Sequence, residues 1–327
     1  MLTNSDHLWG IVLAGGKGRR LQEFILWHFG CDRPKQYCAI IGTRSMLRHT
    51  IDRAETVIPP ERLLTVVNRQ HLPYAQDELS DQEWESIIVQ PCNRDTGPGI
   101  LYPLLHVHHR DPDAVVAIFP SDHFVLEEDR FIEYVKAAFS YVKMHPGVSI
   151  LLGAEPDLPE SKYGWIETRE KTGTERGNEI FRVKRFWEKP CIPLAQALFL
   201  KGCIWNTLVL VSPAVVLLNL FQTLVPNVFD AFKPVRVRLD SSGESDVVEE
   251  VYARLQSVNF SCAILERNPH AFSVLRLNGV HWSDWGDPDR IQTDLKRFAY
   301  PSVTNDTPSF EELGNSMHAN SSSTIWR

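Results

Sequence analysis

Residues 9–36 read WGIVLAGGKGRRLQEFILWHFGCDRPKQ, and the first half of that stretch decides the fold. A short apolar strand, Trp9 to Ala14, runs straight into glycines at 15, 16 and 18, then two arginines and, beyond a loop, Lys35. Glycines let backbone N–H groups turn inward and approach an anion closely, and Arg20 and Lys35 bring full positive charge to the same place. Two other glycine loops are excluded by spacing. A Walker loop follows its Gly-Lys with Ser or Thr, whereas Gly16-Lys17 is followed by Gly18, and the position that should hold its earlier glycine is Ile11. A dinucleotide fingerprint needs a third glycine where this chain has Leu21. Glycines alone would fit an ordinary turn after a strand. Arg20 together with Pro34-Lys35-Gln36 marks a phosphate site, with Ala14, Gly15, Gly16 and Gly18 as the nucleotide-binding turn.

Beyond Lys35, apolar runs of strand length alternate with amphipathic helices, the pattern of repeated βα units and a mostly parallel sheet flanked by helices. Ser45 precedes the helical spacing Met46, Leu47, Ile51, Ala54; strands are expected at 63–67, 87–89, 115–119 and 148–154, with a helix at about 129–144. The turn-rich loop Pro91 to Gly99 should open a helix that holds Pro103 in or near its first turn, where a missing N–H is tolerated. From Tyr163 the text changes to strands separated by polar turns, at 163–168 and 180–187, which predicts a mixed or antiparallel second lobe. That lobe continues through a helix at 193–201, a strand from Trp205, helices near 213–224 and 244–256, and strand character at 271–277 and 280–285. Asp287-Pro288 makes a cap and first position for a last helix. The expected organisation is one domain over 1–298, with halves at about 8–155 and 156–298, and a Ser/Asn-rich disordered tail over 299–327.

At 327 residues the chain can bury about three quarters of the surface that it exposes when unfolded. Its 43% hydrophobic and 23% charged residues and net charge of −7 are ordinary for a globular protein, and without a dense Lys/Arg run they exclude a nucleic-acid partner. The N-terminal residues have no basic region ahead of a long apolar run, so neither a leader nor a membrane partner is expected and the cytoplasm is the expected compartment. Six scattered cysteines, with no Cys-x-x-Cys pair, fit reduced thiols in mostly packed positions. His106, His108 and His109 crowd one helix end, but adjacent histidines point apart, and no metal site is expected there. Composition leaves a homo-oligomer open.

In an open α/β sheet, ligands sit beyond the carboxyl ends of the strands where strand order reverses, commonly between the first and fourth strands. The loop Pro120-Ser-Asp-His123 follows the fourth expected strand and should therefore face the glycine loop. Taken together, the Gly-Gly-x-Gly-x-Arg-Leu and Pro-Lys elements resemble the signature of the sugar-phosphate nucleotidyltransferases. The stretches Glu188-Lys189-Pro190 and Trp282-Ser-Asp-Trp-Gly286 resemble further motifs of the branch formed by bacterial mannose-1-phosphate guanylyltransferases. The resemblance covers about residues 9–295. It implies a Rossmann-like α/β fold with a smaller mixed-sheet sugar-binding lobe, and catalytic roles for Arg20 and Lys35. It also implies Asp122 and Asp284 as ligands of Mg²⁺, which needs more than one carboxylate to be held beside a triphosphate. Gly164, Glu188, Lys189 and Asn206 are implied for the sugar phosphate.

Residues 90–100, QPCNRDTGPGI, resemble the family's base loop, which implies nucleotide contacts from Gln90, Arg94, Asp95 and Thr96. Asp95 stands where relatives carry Asn. A carboxylate there can accept from both donors of guanine's pairing edge, or it can simply cap the helix behind it. The expected partners are a nucleoside triphosphate, GTP favoured, and a sugar 1-phosphate, mannose 1-phosphate favoured. Other readings stay open: another base or sugar, or a non-catalytic subunit that binds nucleotide sugars. A glycosyltransferase would carry an Asp-x-Asp metal motif, and Ser121-Asp122-His123 is not one. The stretch from Leu21 to Pro34 is longer and more apolar than in relatives, as a flap or a contact surface would be.

Overall fold

The computed structural model describes residues 7–298, and the tail expected at 299–327 lies outside the described residues. Its strands are β1 (Leu8–Leu13), β2 (Leu63–Asn68), β3 (Ile87–Gln90), β4 (Val115–Pro120), β5 (Phe124–Val125), β6 (Ser149–Ala154), β7 (Gly164–Glu175), β8 (Asn178–Glu188), β9 (Ile204–Pro213), β10 (Phe272–Leu277) and β11 (Trp282–Ser283). Nine of them form a sheet in the order β3-β2-β1-β4-β9-β6-β10-β8-β7, while β5 and β11 pair separately. β1 runs parallel to β2 and β4, β2 to β3, and β6 to β10, whereas β9 is antiparallel to both β4 and β6.

Period-two alternation along β1 divides the core. Leu8 and Val12 enter one apolar cluster, Trp9 and Ile11 another, and each cluster follows one face of the sheet across both halves of the chain. The mixed extension expected after Tyr163 is therefore joined edge to edge with the parallel part, and β9 is inserted between β4 and β6. The β7–β8 hairpin turns through Arg176 and Gly177, both at positive φ (49° and 79°), as a two-residue primed turn requires.

Ser45 caps the helix Met46–Glu55, its hydroxyl accepting from the Arg48 N–H at 3.1 Å. The helix of the base loop starts earlier than its apolar spacing suggests, at Thr96, with Asp95 as the cap. Pro103 consequently lies in the interior of Thr96–Arg110, where its missing N–H leaves the Gly99 carbonyl without a helical donor. At 280–285 only Trp282–Ser283 is strand. The helix Pro288–Arg297 begins as expected, with the Asp287 carboxylate accepting from the Asp289 N–H at 3.1 Å. The apolar stretch after Leu21 folds as helix Gln22–Phe29 and is docked: Leu21, Phe24 and Ile25 pack with Met46, Phe124 and Trp285, leaving Leu26 and Trp27 exposed. All six cysteines are free. Cys38 and Cys203 are buried as expected, but Cys191, at the start of the helix Ile192–Leu200, and Cys262, within the turn Ser261–Leu265, are exposed. Among the described residues no helix is long and apolar enough to cross a membrane.

Candidate active site

The register of β1 with β4 sets Leu13 beside Pro120, so the glycine loop and the Ser121-Asp122 turn emerge together from neighbouring carboxyl ends. Side-chain amides hold the carbonyls of the glycine loop. Gln36 donates to the carbonyls of Ala14 (2.8 Å) and Gly16 (2.9 Å), while Asn68 and Asn93 donate to that of Gly15 (2.5 and 3.0 Å). Peptide units anchored through C=O on one side present N–H groups on the other, which is the requirement for an anion cradle. Gly18 is left-handed, with φ 58°, and a Cβ there would come within 3.2 Å of the Lys35 backbone nitrogen. Ala14 is fully buried and its N–H is paired with Val66, so it supports the turn from beneath instead of facing the cavity. Gln36 and Asn68 were not assigned from sequence, although a polar residue ending the apolar run of β2 is a usable signal.

Lys35 is only 3% exposed, yet its ammonium reaches three oxygens: Asp122 Oδ2 at 3.1 Å, the Trp285 carbonyl at 3.2 Å and the Asp284 carbonyl. Arg20, half exposed, donates through Nη2 to Asp284 Oδ2 at 2.9 Å, and the other oxygen of that carboxylate accepts from the Gly286 N–H at 2.8 Å. The four residues read from distant parts of the sequence thus meet at one point. Burial alone would raise both carboxyls, but Lys35 and His123 beside Asp122, and Lys35 and Arg20 beside Asp284, hold both below the ordinary aspartate value. Two ionised carboxylates offering hard oxygen donors fit Mg²⁺, with phosphate oxygens needed to complete its shell. His123 sits against Asp122 with Nε2 3.7 Å from Oδ1, and burial pushes its pKa down. Asp287, the neighbour of this group, pairs with Lys162 at 2.5 Å and caps its helix.

The one group of three side chains within metal-binding reach of one another, among the described residues, lies elsewhere: His106, Asp240 and Glu244. Its imidazole nitrogens each face a carboxylate, at 3.3 and 2.6 Å, and Asp240 also takes Arg110 at 2.7 Å. Glu244 also accepts from the Tyr102 hydroxyl and the Asp240 N–H, so the cluster is a hydrogen-bonded network joining the base-loop helix to residues 240–244.

Beside the glycine loop opens a cavity of about 370 Å³, lined by Gly15, Gly16, Gln90, Asn93, Asp95, Thr96 and Ser257 among others. Gln90 closes β3 and is 4% exposed, its Oε1 3.0 Å from the Tyr252 hydroxyl. Asp95 is held at φ 69°; its Oδ1 accepts from the Thr96 N–H at 2.6 Å and from Asn259 at 3.2 Å, and among the described residues no bond is made by its other oxygen. Thr96 is tied in turn, its hydroxyl accepting from the Phe260 N–H at 2.9 Å. Arg94 departs from expectation. Its guanidinium donates twice to the Tyr252 carbonyl, at 3.0 and 2.8 Å, so it fastens the loop to the helix Glu244–Arg254 and does not line the cavity. Ser257 and Tyr252 gave no signal in sequence, because they approach only through the packing of residues 240–260.

On the other side of Lys35, the ends of β7, β8 and β9 gather the residues expected for the sugar phosphate. Gly164 pairs with Glu188 in register, and a Cβ on Gly164 would stand 3.1 Å from Glu188 Oε2 and 3.3 Å from Asn206 Cβ, so only glycine admits that approach. Lys189, at φ 48°, pairs with Glu188 at 3.1 Å and leaves more than half of its side chain exposed. Tyr163 links this group to the carboxylates: its ring packs edge-on against Trp205 (4.8 Å) and Trp282 (5.4 Å), and its hydroxyl lies beside Ser283 and Asp284. Trp165, Trp205 and Trp285 are fully buried, which makes them core residues.

Comparison with known proteins places the chain in a family and matches its fold. Residues 9–293 match the model of a family described as nucleotidyl transferase. A mannose-1-phosphate guanylyltransferase of Escherichia coli is 30% identical over 85% of this chain and 58% of its own length. The mannose-1-phosphate guanylyltransferase ManC of Salmonella typhimurium is 29% identical over 88% and 59%. The chain therefore spans just under three fifths of the length of these relatives. A crystal structure described as a mannose-1-phosphate geranyltransferase from Thermus thermophilus shares the fold, with a TM-score of 0.74 at 24% identity over 92% of this chain and 80% of that one.

Proposed function

The chain belongs to the nucleotidyl transferase family, and from that premise we propose that it transfers a guanylyl group from GTP to mannose 1-phosphate, releasing pyrophosphate. One observation carries the reading: the Lys35 ammonium lies between Asp122 and Asp284, beside an anion cradle, with a base-sized cavity on one flank and the Gly164, Glu188, Asn206 group on the other. A triphosphate laid along the cradle would place its α-phosphate near Lys35 and Arg20, within reach of a sugar phosphate held by Lys189. In-line attack by the sugar-phosphate oxygen breaks the bond between the α-phosphorus and the leaving pyrophosphate, and no covalent enzyme intermediate or protein base is needed. The chain supplies positioning and charge neutralisation. Asp122 and Asp284 would hold Mg²⁺, whose charge offsets that of the phosphates when it is bound. Glu188 and Asn206 would bond the sugar hydroxyls.

The choice of guanine is supported by Asp95, whose second oxygen is available to the N1–H and 2-amino donors while its first caps the helix. Adenine has an acceptor at N1, so ATP would leave that carboxylate unpaired. Pyrophosphate release measured across four nucleoside triphosphates and several sugar 1-phosphates tests the reading. The expected result is turnover that requires Mg²⁺ and is greatest with GTP and mannose 1-phosphate. A different preferred pair moves the chain to another substrate within the family, and binding without turnover makes it a nucleotide-sugar-binding subunit.

A further inference from the structure

Tyr252 lies on the helix Glu244–Arg254 with its ring packed against Tyr102 and Phe232, at 6.3 and 5.9 Å, and its hydroxyl 3.0 Å from Gln90 Oε1. Among the described residues no other acceptor bonds that hydroxyl. A buried O–H without an acceptor is costly, so the hydroxyl donates to Gln90, and a carboxamide whose oxygen is engaged in this way turns its NH2 to the opposite side. That side is the cavity: Gln90 Nε2 lies 3.1 Å from the place a Cβ on Gly15, one of the residues lining it, would take. No acceptor from the protein meets the NH2 there among the described residues.

We propose that Tyr252 is a positioning residue for base selection, holding the Gln90 carboxamide so that the cavity offers a hydrogen-bond donor to the base. Guanine answers with its O6 acceptor. Adenine carries an amino donor on the same ring carbon and meets the Gln90 donor with a second donor. Paired with the acceptor at Asp95, the Gln90 NH2 gives the cavity a donor and an acceptor matched to guanine's pairing edge. The inference rests on the guanine reading above. Tyr252 also receives Arg94 through its backbone carbonyl, an interaction that Tyr252→Phe retains.

The test uses kcat/KM for GTP and ATP in four proteins: the unaltered chain, Tyr252→Phe, Gln90→Glu and the double variant, with melting temperatures as a check on folding. A carboxylate looks the same after a half-turn, so its orientation cannot matter. Tyr252→Phe is expected to narrow the GTP:ATP ratio by roughly tenfold or more in the Gln90 background and to leave the ratio of the Gln90→Glu protein unchanged. Equal shifts in both backgrounds, or a proportional fall with both nucleotides, overturn the positioning role and leave Tyr252 as packing. If the unaltered chain prefers another base, the guanine reading fails. The clamp is then decided by whether Tyr252→Phe changes that enzyme's own ratio between bases only when residue 90 is Gln.

Discussion

Lys35 is the residue through which the site coheres, since its one ammonium bonds the two carbonyls at 284–285 and the Asp122 carboxylate. Lys35→Ala removes charge aimed at the reacting phosphate, so kcat should fall by roughly 10²–10³ with a smaller change in nucleotide affinity. Steady-state kinetics with direct nucleotide-binding measurements separate the two; a rise in KM alone would mean that Lys35 merely holds substrate. That Arg20, Lys35 and Asp122 would come together was legible from charge beside glycines and from the place of Asp122 after the fourth strand, whereas Asp284 was reached through the resemblance of its motif. Arg94 was misread. An arginine in a polar loop looks free to face a ligand, and only the long-range approach of Tyr252 reveals that its donors are engaged. Asp95 proved to be a cap, as one of its two readings held, and Thr96, the first residue of the helix that it caps, lines the cavity.

Among the elements, the helix Pro288–Arg297 does more than end the fold. Its Asp294, 1% exposed, accepts from Trp285 Nε1 at 2.9 Å and His281 Nε2 at 3.0 Å, thereby fixing the segment whose carbonyls hold Lys35. Burial by itself would raise the Asp294 carboxyl, but those two bonds and the charges of His281 and Arg290 bring it below the ordinary value. A depressed carboxyl stabilises the fold fully above the unfolded aspartate value near ~3.9, and that contribution is lost as pH falls through the lower folded value. Asp294→Ala should therefore cost about 2–4 kcal/mol at neutral pH, a penalty that shrinks in denaturant titrations run below pH ~4. It should also lower kcat. The start of this helix was legible from Asp287-Pro288, whereas the start of Thr96–Arg110 was not, since glycines and proline at 97–99 and 103 mask a helix that tertiary contacts sustain. One such contact is the Gly97 N–H donating to the Val258 carbonyl at 2.7 Å.

On the scale of the whole molecule, alternating strands and helices made the parallel sheet legible, but strand order is a pairing between distant segments and leaves no local trace. The two halves read from composition are interleaved, because β9 from the second pairs with β4 and β6 from the first. A fragment ending at residue 155 should accordingly fail to fold, and the intact chain should unfold in one transition by both tryptophan fluorescence and circular dichroism; two separated transitions would argue for independent halves. The same insertion has a consequence for biosynthesis. Chain growth delivers β4 and β6 well before the strand that belongs between them, and β9 is complete only roughly 60 residues after β6, or about 3–12 s at ~5–20 residues per second. For that interval the nascent chain carries an open edge on β4 and a β6 unpaired on both sides, apolar strands prone to pairing with a neighbouring polypeptide. Slow passage of the ribosome through codons 155–213 should therefore lower the soluble yield more than the same delay placed after residue 213.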